Sequence, residues 1–65
     1  MTPNRRSFLT AVAANPGAAR PSHNASTMRA CQSLGFAHTH DSDVPYACRE
    51  WFILPAGVAA LRVSA

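Results

Sequence analysis

The stretch over residues 26–61 most constrains the fold, because a helix end, a turn and a helix start follow one another in it. Gly35 comes directly after a segment with helical spacing, where glycine commonly ends a helix in the left-handed conformation. Two short runs with strand character, at 36–40 and 49–54, flank an acidic, turn-rich segment. Pro55 occupies a position typical of the first turn of a helix. The stretch therefore predicts a helix, a two-stranded ribbon and a second helix.

Capping residues and helix breakers set the other boundaries. Thr2 is a good N-cap and Pro3 a good first helical residue, whereas Pro16 cannot continue a helix. The chain is predicted to contain one small domain over 1–65, with helices over 3–14, 22–34 and 55–63 and strands over 36–40 and 49–54.

The second helix is predicted to be amphipathic. Ser22 or Asn24 can cap its N-terminus. Met28, Cys31 and Leu34 are spaced by three residues and are expected to face the core.

Two segments are similar to a known family. The letters STMRACQSLGF, beginning at residue 26, resemble the recognition helix of winged-helix DNA-binding domains in its T-x-R-A-L-x-x-x-G-L form. The letters WFILPAGVAAL, beginning at residue 51, resemble the Y-x-L-T-P-A-G-x-A-A-L segment that closes their wing and starts the next helix. The resemblance implies an α+β, minimal winged-helix-like domain with the order helix, helix, two-stranded β-wing, helix. Small proteins of this kind are common in bacteriophages and high-GC bacteria.

The sequence departs from the family pattern before the second helix and at the wing tip. Winged-helix domains usually carry a further helix before the recognition helix, and residues 15–21 leave no room for a regular one. Asp41 and Asp43 stand where a DNA-contacting wing has arginine or lysine. Because carboxylates repel phosphates, the wing is predicted not to lie on a DNA backbone.

The resemblance implies a transcription-regulatory module that binds double-stranded DNA through the 22–34 helix. Six arginines and three acidic residues give a net charge of +3 and a pI near 9.7, which is compatible with an anionic partner. Base-edge contacts are expected from Asn24, Ser26, Thr27, Arg29 and Gln32, and phosphate contacts from Arg5, Arg6, Arg20 and Arg29.

A second interpretation is a protein-interaction module that keeps the fold. Phe52, Leu54 and Val58 replace polar residues of the family pattern and could form an apolar patch for a host protein or for a homodimer. The alternative, that Phe52 folds under the C-terminal helix, has equal weight.

A third interpretation is export. The letters RRSFL, beginning at residue 5, resemble a twin-arginine signal, but the apolar run after them is short and Pro16, Arg20 and His23 interrupt the next segment. A cytoplasmic protein is therefore favoured. No run of apolar residues is long enough to span a membrane.

Cys31, His38, His40 and Cys48 are all zinc-ligand types, in the order C-x6-H-x-H-x7-C. The spacing matches no zinc-finger pattern, so a packed cysteine and polar histidines are favoured over a metal site. Whether the two cysteines are free, bridged or metal-bound stays open. No cofactor and no enzymatic activity are predicted, because nothing in the sequence positions a catalytic group.

Overall fold

The computed structural model describes residues 1–63 and shows an α+β fold of three α-helices and a two-stranded antiparallel hairpin. This confirms the predicted fold class and the order helix, helix, hairpin, helix. The elements are α1 (Pro3–Ala14), α2 (Ala25–Ser33), β1 (Ala37–Thr39), a 3-10 helix (Tyr46–Cys48), β2 (Trp51–Ile53) and α3 (Pro55–Val63).

The ends of α2 are formed by its capping residues. Asn24, rather than Ser22, is the N-cap, and its Oδ1 accepts the Thr27 N–H at 2.8 Å, so α2 begins at Ala25 and not at residue 22. At the other end Gly35 has a φ of 76°. The N–H groups of Gly35 and Phe36 donate to the carbonyls of Gln32 and Cys31, which is the Schellman arrangement.

The hairpin places the single tryptophan in the centre of the core. Thr39 pairs with Trp51 and Ala37 with Ile53, so the strands are shorter than predicted. The Trp51 ring is fully buried, lies edge-to-face with Phe8 at 5.4 Å, and donates its Nε1–H to the Tyr46 carbonyl at 3.1 Å. The fully buried side chains around it are those of Phe8, Leu9, Val12, Met28 and Cys31.

The start of α3 packs closely against the start of β1. The Leu54 N–H donates to the Phe36 carbonyl at 2.9 Å. A Cβ on Gly57 would lie 2.2 Å from that same carbonyl oxygen and 2.9 Å from Ile53 Cγ1. Only glycine therefore allows α3 to approach the chain at Phe36 this closely.

The connection between α1 and α2, residues 15–24, contains no helix. It is held to the hairpin by two backbone hydrogen bonds, from Gly17 N–H to the Trp51 carbonyl at 2.8 Å and from Arg20 N–H to the Ala47 carbonyl at 3.2 Å. The additional helix of a regular helix-turn-helix is therefore missing from this connection, as the sequence predicts.

Candidate functional site: the exposed face of α2 and its surroundings

The exposed face of α2 carries most of the residues predicted to contact DNA. Asn24, Ser26, Arg29 and Gln32 are all exposed. Asn24 and Ser26 form a hydrogen bond with each other, in which Ser26 Oγ donates to Asn24 Oδ1 at 3.0 Å. Arg29 and Gln32 are three residues apart and so lie next to each other on the helix surface. These two long side chains are the ones that can reach a ligand from this face.

Thr27 does not belong to this face, and its predicted exposure is wrong. Only 7% of Thr27 is exposed. It lies one turn before Cys31, so it points into the body of the molecule with that residue.

Arg20 is also buried, and its predicted role at the surface is wrong. It is 9% exposed, and its guanidinium donates to the carbonyls of Ala11, at 2.7 Å, Asn15, and Ala19. Ala11 and Asn15 lie at the C-terminal end of α1, where unpaired carbonyls favour a cation. Arg20 therefore acts as a side-chain cap for α1 and is not available to a phosphate.

The two arginines of α1 are half-buried. Arg6 Nη1 donates to the Leu61 carbonyl at 3.3 Å and so ties α1 to α3. Arg5 lines a cleft between the ends of the three helices and lies near the Cys31 thiol. The guanidinium groups at residues 5 and 6 thus face the α3 side of α1.

Charge is divided between the helices and the hairpin tip, defined as residues 40–50. All three acidic residues, Asp41, Asp43 and Glu50, belong to the hairpin tip. Arg5, Arg6, Arg29 and Arg62 lie on the helices, which contain no acidic residue. An anionic partner is therefore favoured on the helical side and repelled by the tip.

Side-chain contacts link separate parts of the hairpin tip. Asp41 Oδ2 accepts the Glu50 N–H at 3.0 Å. The Arg49 guanidinium donates from Nε to the Val44 carbonyl at 2.8 Å and stacks 4.1 Å above the Tyr46 ring. Arg49 is thus used inside the tip, which leaves the carboxylates of Asp41 and Asp43 without a partner arginine there.

The predicted protein-interface residues Phe52, Leu54 and Val58 are half-buried. A Cβ on Gly17 would lie 3.4 Å from the Phe52 ring, and the His40 ring centroid is 5.9 Å from that of Phe52. The connection between α1 and α2, together with the hairpin tip, therefore covers part of Phe52.

Two clefts are open on the helical body, the name used here for α1, α2 and α3 together. A polar cleft of about 450 Å³ is lined by Asn4, Ser7, Ser22, His23, Asn24 and Thr27. Within it Ser7 Oγ lies 3.3 Å from His23 Nε2, but His23 Nδ1 is buried and has no hydrogen-bond partner among residues 1–63. The pair therefore lacks the third group that orients the imidazole in a catalytic triad.

The second cleft is mostly apolar, and no sequence pattern predicted it. It measures about 280 Å³ and is lined by Met1, Arg5, Leu34, Phe36, Ala60 and Val63. Leu34 was expected to face the core, yet 51% of it is exposed. Leu34 is the C-cap of α2 and still has helical φ and ψ angles of −79° and −5°, so its exposure comes from its place at the end of the helix, beside the cleft.

The cysteines and histidines form no metal cluster in the described part of the chain. Cys31 and Cys48 are free thiols. Burial raises the pKa of the Cys31 thiol, although Arg5 nearby acts in the opposite direction. The rings of His38 and His40 are in contact, with centroids 4.4 Å apart, but residues 1–63 bring no three potential ligands together.

Comparison of the chain with protein family models, with characterised proteins and with solved structures gives no significant match. Among residues 1–63, no helix has both the length and the apolar character needed to cross a membrane. The winged-helix resemblance therefore depends on the two sequence segments and on the order of the elements.

Proposed function

We propose that the protein is a minimal winged-helix-like module that regulates transcription by binding double-stranded DNA through α2. The observation that carries this proposal is the exposed pair Arg29 and Gln32 on α2. The three helices around this pair contain no acidic residue. An arginine can bind a guanine edge or a phosphate, and a glutamine can bind an adenine edge.

The division of charge gives the proposal an orientation. DNA would lie against α2, with Arg29 at the contact and Asn24 and Ser26 at the N-terminal end of the helix. The acidic hairpin tip would point away from the phosphates, because Asp41 and Asp43 would otherwise repel them. This arrangement differs from that of a winged-helix domain in which the wing also contacts the DNA phosphate backbone.

Arg20 and Thr27 have no direct contact in this arrangement. Both are buried, and Arg20 is bonded to backbone carbonyls at the end of α1. They support α2 by fixing the structure behind it.

The test is fluorescence anisotropy of mixed-sequence duplex DNA at two salt concentrations, comparing Arg29→Gln with Arg62→Gln. Both variants remove one exposed arginine, but Arg62 lies on α3 and serves as the matched control. We expect Arg29→Gln to weaken binding several-fold and to lower the salt slope by about 1, with a smaller change for Arg62→Gln. Absence of binding at low salt, or equal losses in the two variants, would contradict the proposal.

The other two interpretations have less support. Phe52, Leu54 and Val58 are half-buried, so they offer little apolar area to a protein partner. Phe8 and Leu9, which belong to the twin-arginine-like segment, are fully buried core residues of α1.

A further inference from the structure

The exposed large apolar side chains of the described chain lie in two places. Met1, Leu34 and Val63 line the apolar cleft at the ends of the three helices, and 86% of Val63 is exposed. The remaining one, Val44, is in the hairpin tip and is 38% exposed. The three residues at the cleft form an apolar cluster of the kind that a partner covers, whereas Val44 is a single exposed side chain whose part in a contact depends on its neighbours.

Val44 lies in a small exposed protrusion of the hairpin tip. It stands between Asp43 and Pro45, and all three residues are exposed. Its carbonyl is fixed by Arg49 Nε at 2.8 Å, and the Ser42 carbonyl accepts from Arg49 Nη2 at 3.3 Å. These two bonds restrict the backbone on either side of Val44, which lowers the conformational freedom lost when this protrusion binds.

The protrusion and the apolar cleft have complementary chemistry. The cleft offers apolar walls and one cation, Arg5. The protrusion offers an apolar side chain, Val44, next to one anion, Asp43. A cleft of about 280 Å³ has room for a valine side chain.

We propose that the hairpin tip of one copy of the chain docks into the apolar cleft of a second copy. Val44 inserts beside Leu34 and Phe36, and Asp43 pairs with Arg5. The second copy is the occupant that the structure favours, since the chain itself carries both halves of the contact.

The contact is heterologous, because the tip and the cleft are different surfaces of the same chain. Each copy can use its tip once and its cleft once, so association continues from head to tail until a ring closes. One valine and one ion pair bury far less than the roughly 800 Å² per partner of a standard interface. We therefore expect a weak affinity, so that the associated fraction becomes appreciable only at high protein concentration.

The test is analytical ultracentrifugation of the purified protein without DNA, over a concentration range reaching millimolar. Val44→Ser removes the protrusion, and Leu34→Ser removes a wall of the cleft. Both positions are exposed, so far-UV circular dichroism should show an unchanged fold. We expect the wild type to form assemblies larger than a dimer and each variant alone to remain monomeric.

The decisive sample is the equimolar mixture of the two variants. Leu34→Ser retains an intact tip and Val44→Ser retains an intact cleft, so the mixture should form a one-to-one dimer with the wild-type affinity of a single contact. A monomeric wild type would overturn the proposal, and so would a mixture that stays monomeric while the wild type associates. Loss of association in Leu34→Ser but not in Val44→Ser would overturn it in favour of two clefts meeting symmetrically.

The charge pair offers an independent check. Arg5→Glu and Asp43→Arg should each weaken association, and the double variant should restore it because the two charges are exchanged. This self-association is measured without nucleic acid, so its failure would leave the DNA-binding proposal untouched.

Discussion

The helical body and the hairpin tip are built on different principles. The body, formed by α1, α2 and α3, surrounds fully buried apolar side chains such as Phe8 and Met28 and carries arginines but no acidic residue. The tip, residues 40–50, contains all three acidic residues; there the Asp41 carboxylate accepts a backbone N–H and the Arg49 guanidinium donates to backbone carbonyls. The buried apolar side chains that stabilise the fold therefore lie mainly in the body, whereas the negative charge lies in the tip. Substitutions in the two regions should have separate effects.

The largest effect is expected at Gly57 in the body. In Gly57→Ala the new Cβ would meet the Phe36 carbonyl oxygen at 2.2 Å, which is a backbone atom and cannot rotate away. We expect a loss of about 3 kcal/mol or more in the free energy of unfolding, measured by urea denaturation. Because a chain of this length is stable by only ~3–10 kcal/mol, the variant should be largely unfolded at 37 °C.

Gly35→Ala is the matched control for that substitution. Nothing lies within 4 Å of a Cβ at Gly35, so its cost comes only from the φ of 76°. We expect a loss of about 1–2 kcal/mol. Equal losses at the two glycines would contradict the close approach of α3 to Phe36.

Arg20→Met should have an intermediate effect. The variant keeps an apolar side chain but removes the guanidinium bonds to the carbonyls of Ala11 and Asn15, each of which then keeps only a backbone N–H donor. We expect the free energy of unfolding to fall by about 2 kcal/mol. Arg20→Lys, which keeps the charge but not the fork of donors, should fall between wild type and Arg20→Met.

The same variants also test the role assigned to Arg20. Because its guanidinium is buried and bonded to backbone carbonyls, the salt dependence of DNA binding should be the same in Arg20→Met and wild type. A salt slope that fell in Arg20→Met by as much as in Arg29→Gln would mean that Arg20 contacts phosphate after all.

The smallest effect is expected in the hairpin tip. Asp41→Ala removes the acceptor of the Glu50 N–H, and we expect a loss of about 0.5–1 kcal/mol because the bond is exposed to water. Asp41→Asn keeps an acceptor oxygen and should lose less. Amide hydrogen exchange at Glu50 should accelerate in Asp41→Ala while amides of α1 stay protected. Simultaneous acceleration in both regions would show that tip and body unfold together.

Local signals predicted most helix ends well, although α2 begins at Ala25 and not at residue 22. Thr2 and Pro3 mark the start of α1, and its last residue, Ala14, comes just before the Asn15-Pro16-Gly17 breaker. The end of α2 is set by Gly35, whose positive φ is a local property of the residue. Periodicity correctly placed Met28 and Cys31 in the core, because both lie well inside α2, where the helical spacing holds.

Long-range interactions limited the rest. Arg20 was predicted to be a surface cation because no periodic pattern in its neighbourhood indicates that the chain folds back under α1. A signal was present, since an arginine soon after a helix end is a common partner for the last carbonyls. The conformation of the hairpin tip depends on Arg49 reaching Val44 and Ser42, and no periodic pattern indicates such bonds. The prediction for Leu34 was wrong because periodicity gives the direction of a side chain but does not show whether another element covers the end of the helix.

Trp51 lies where the helical body and the hairpin tip meet, and it gives the chain a built-in optical reporter. Its ring lies edge-to-face with that of Phe8 in the body, with centroids 5.4 Å apart, and is stacked with that of Tyr46 in the tip, with centroids 6.3 Å apart. As the only tryptophan, and a fully buried one, it should emit at short wavelength in the folded protein. Detachment of the tip alone would alter its near-ultraviolet circular dichroism through Tyr46, whereas a red shift of emission would mark opening of the body. One native fluorophore can thus distinguish, without labels, the two kinds of opening.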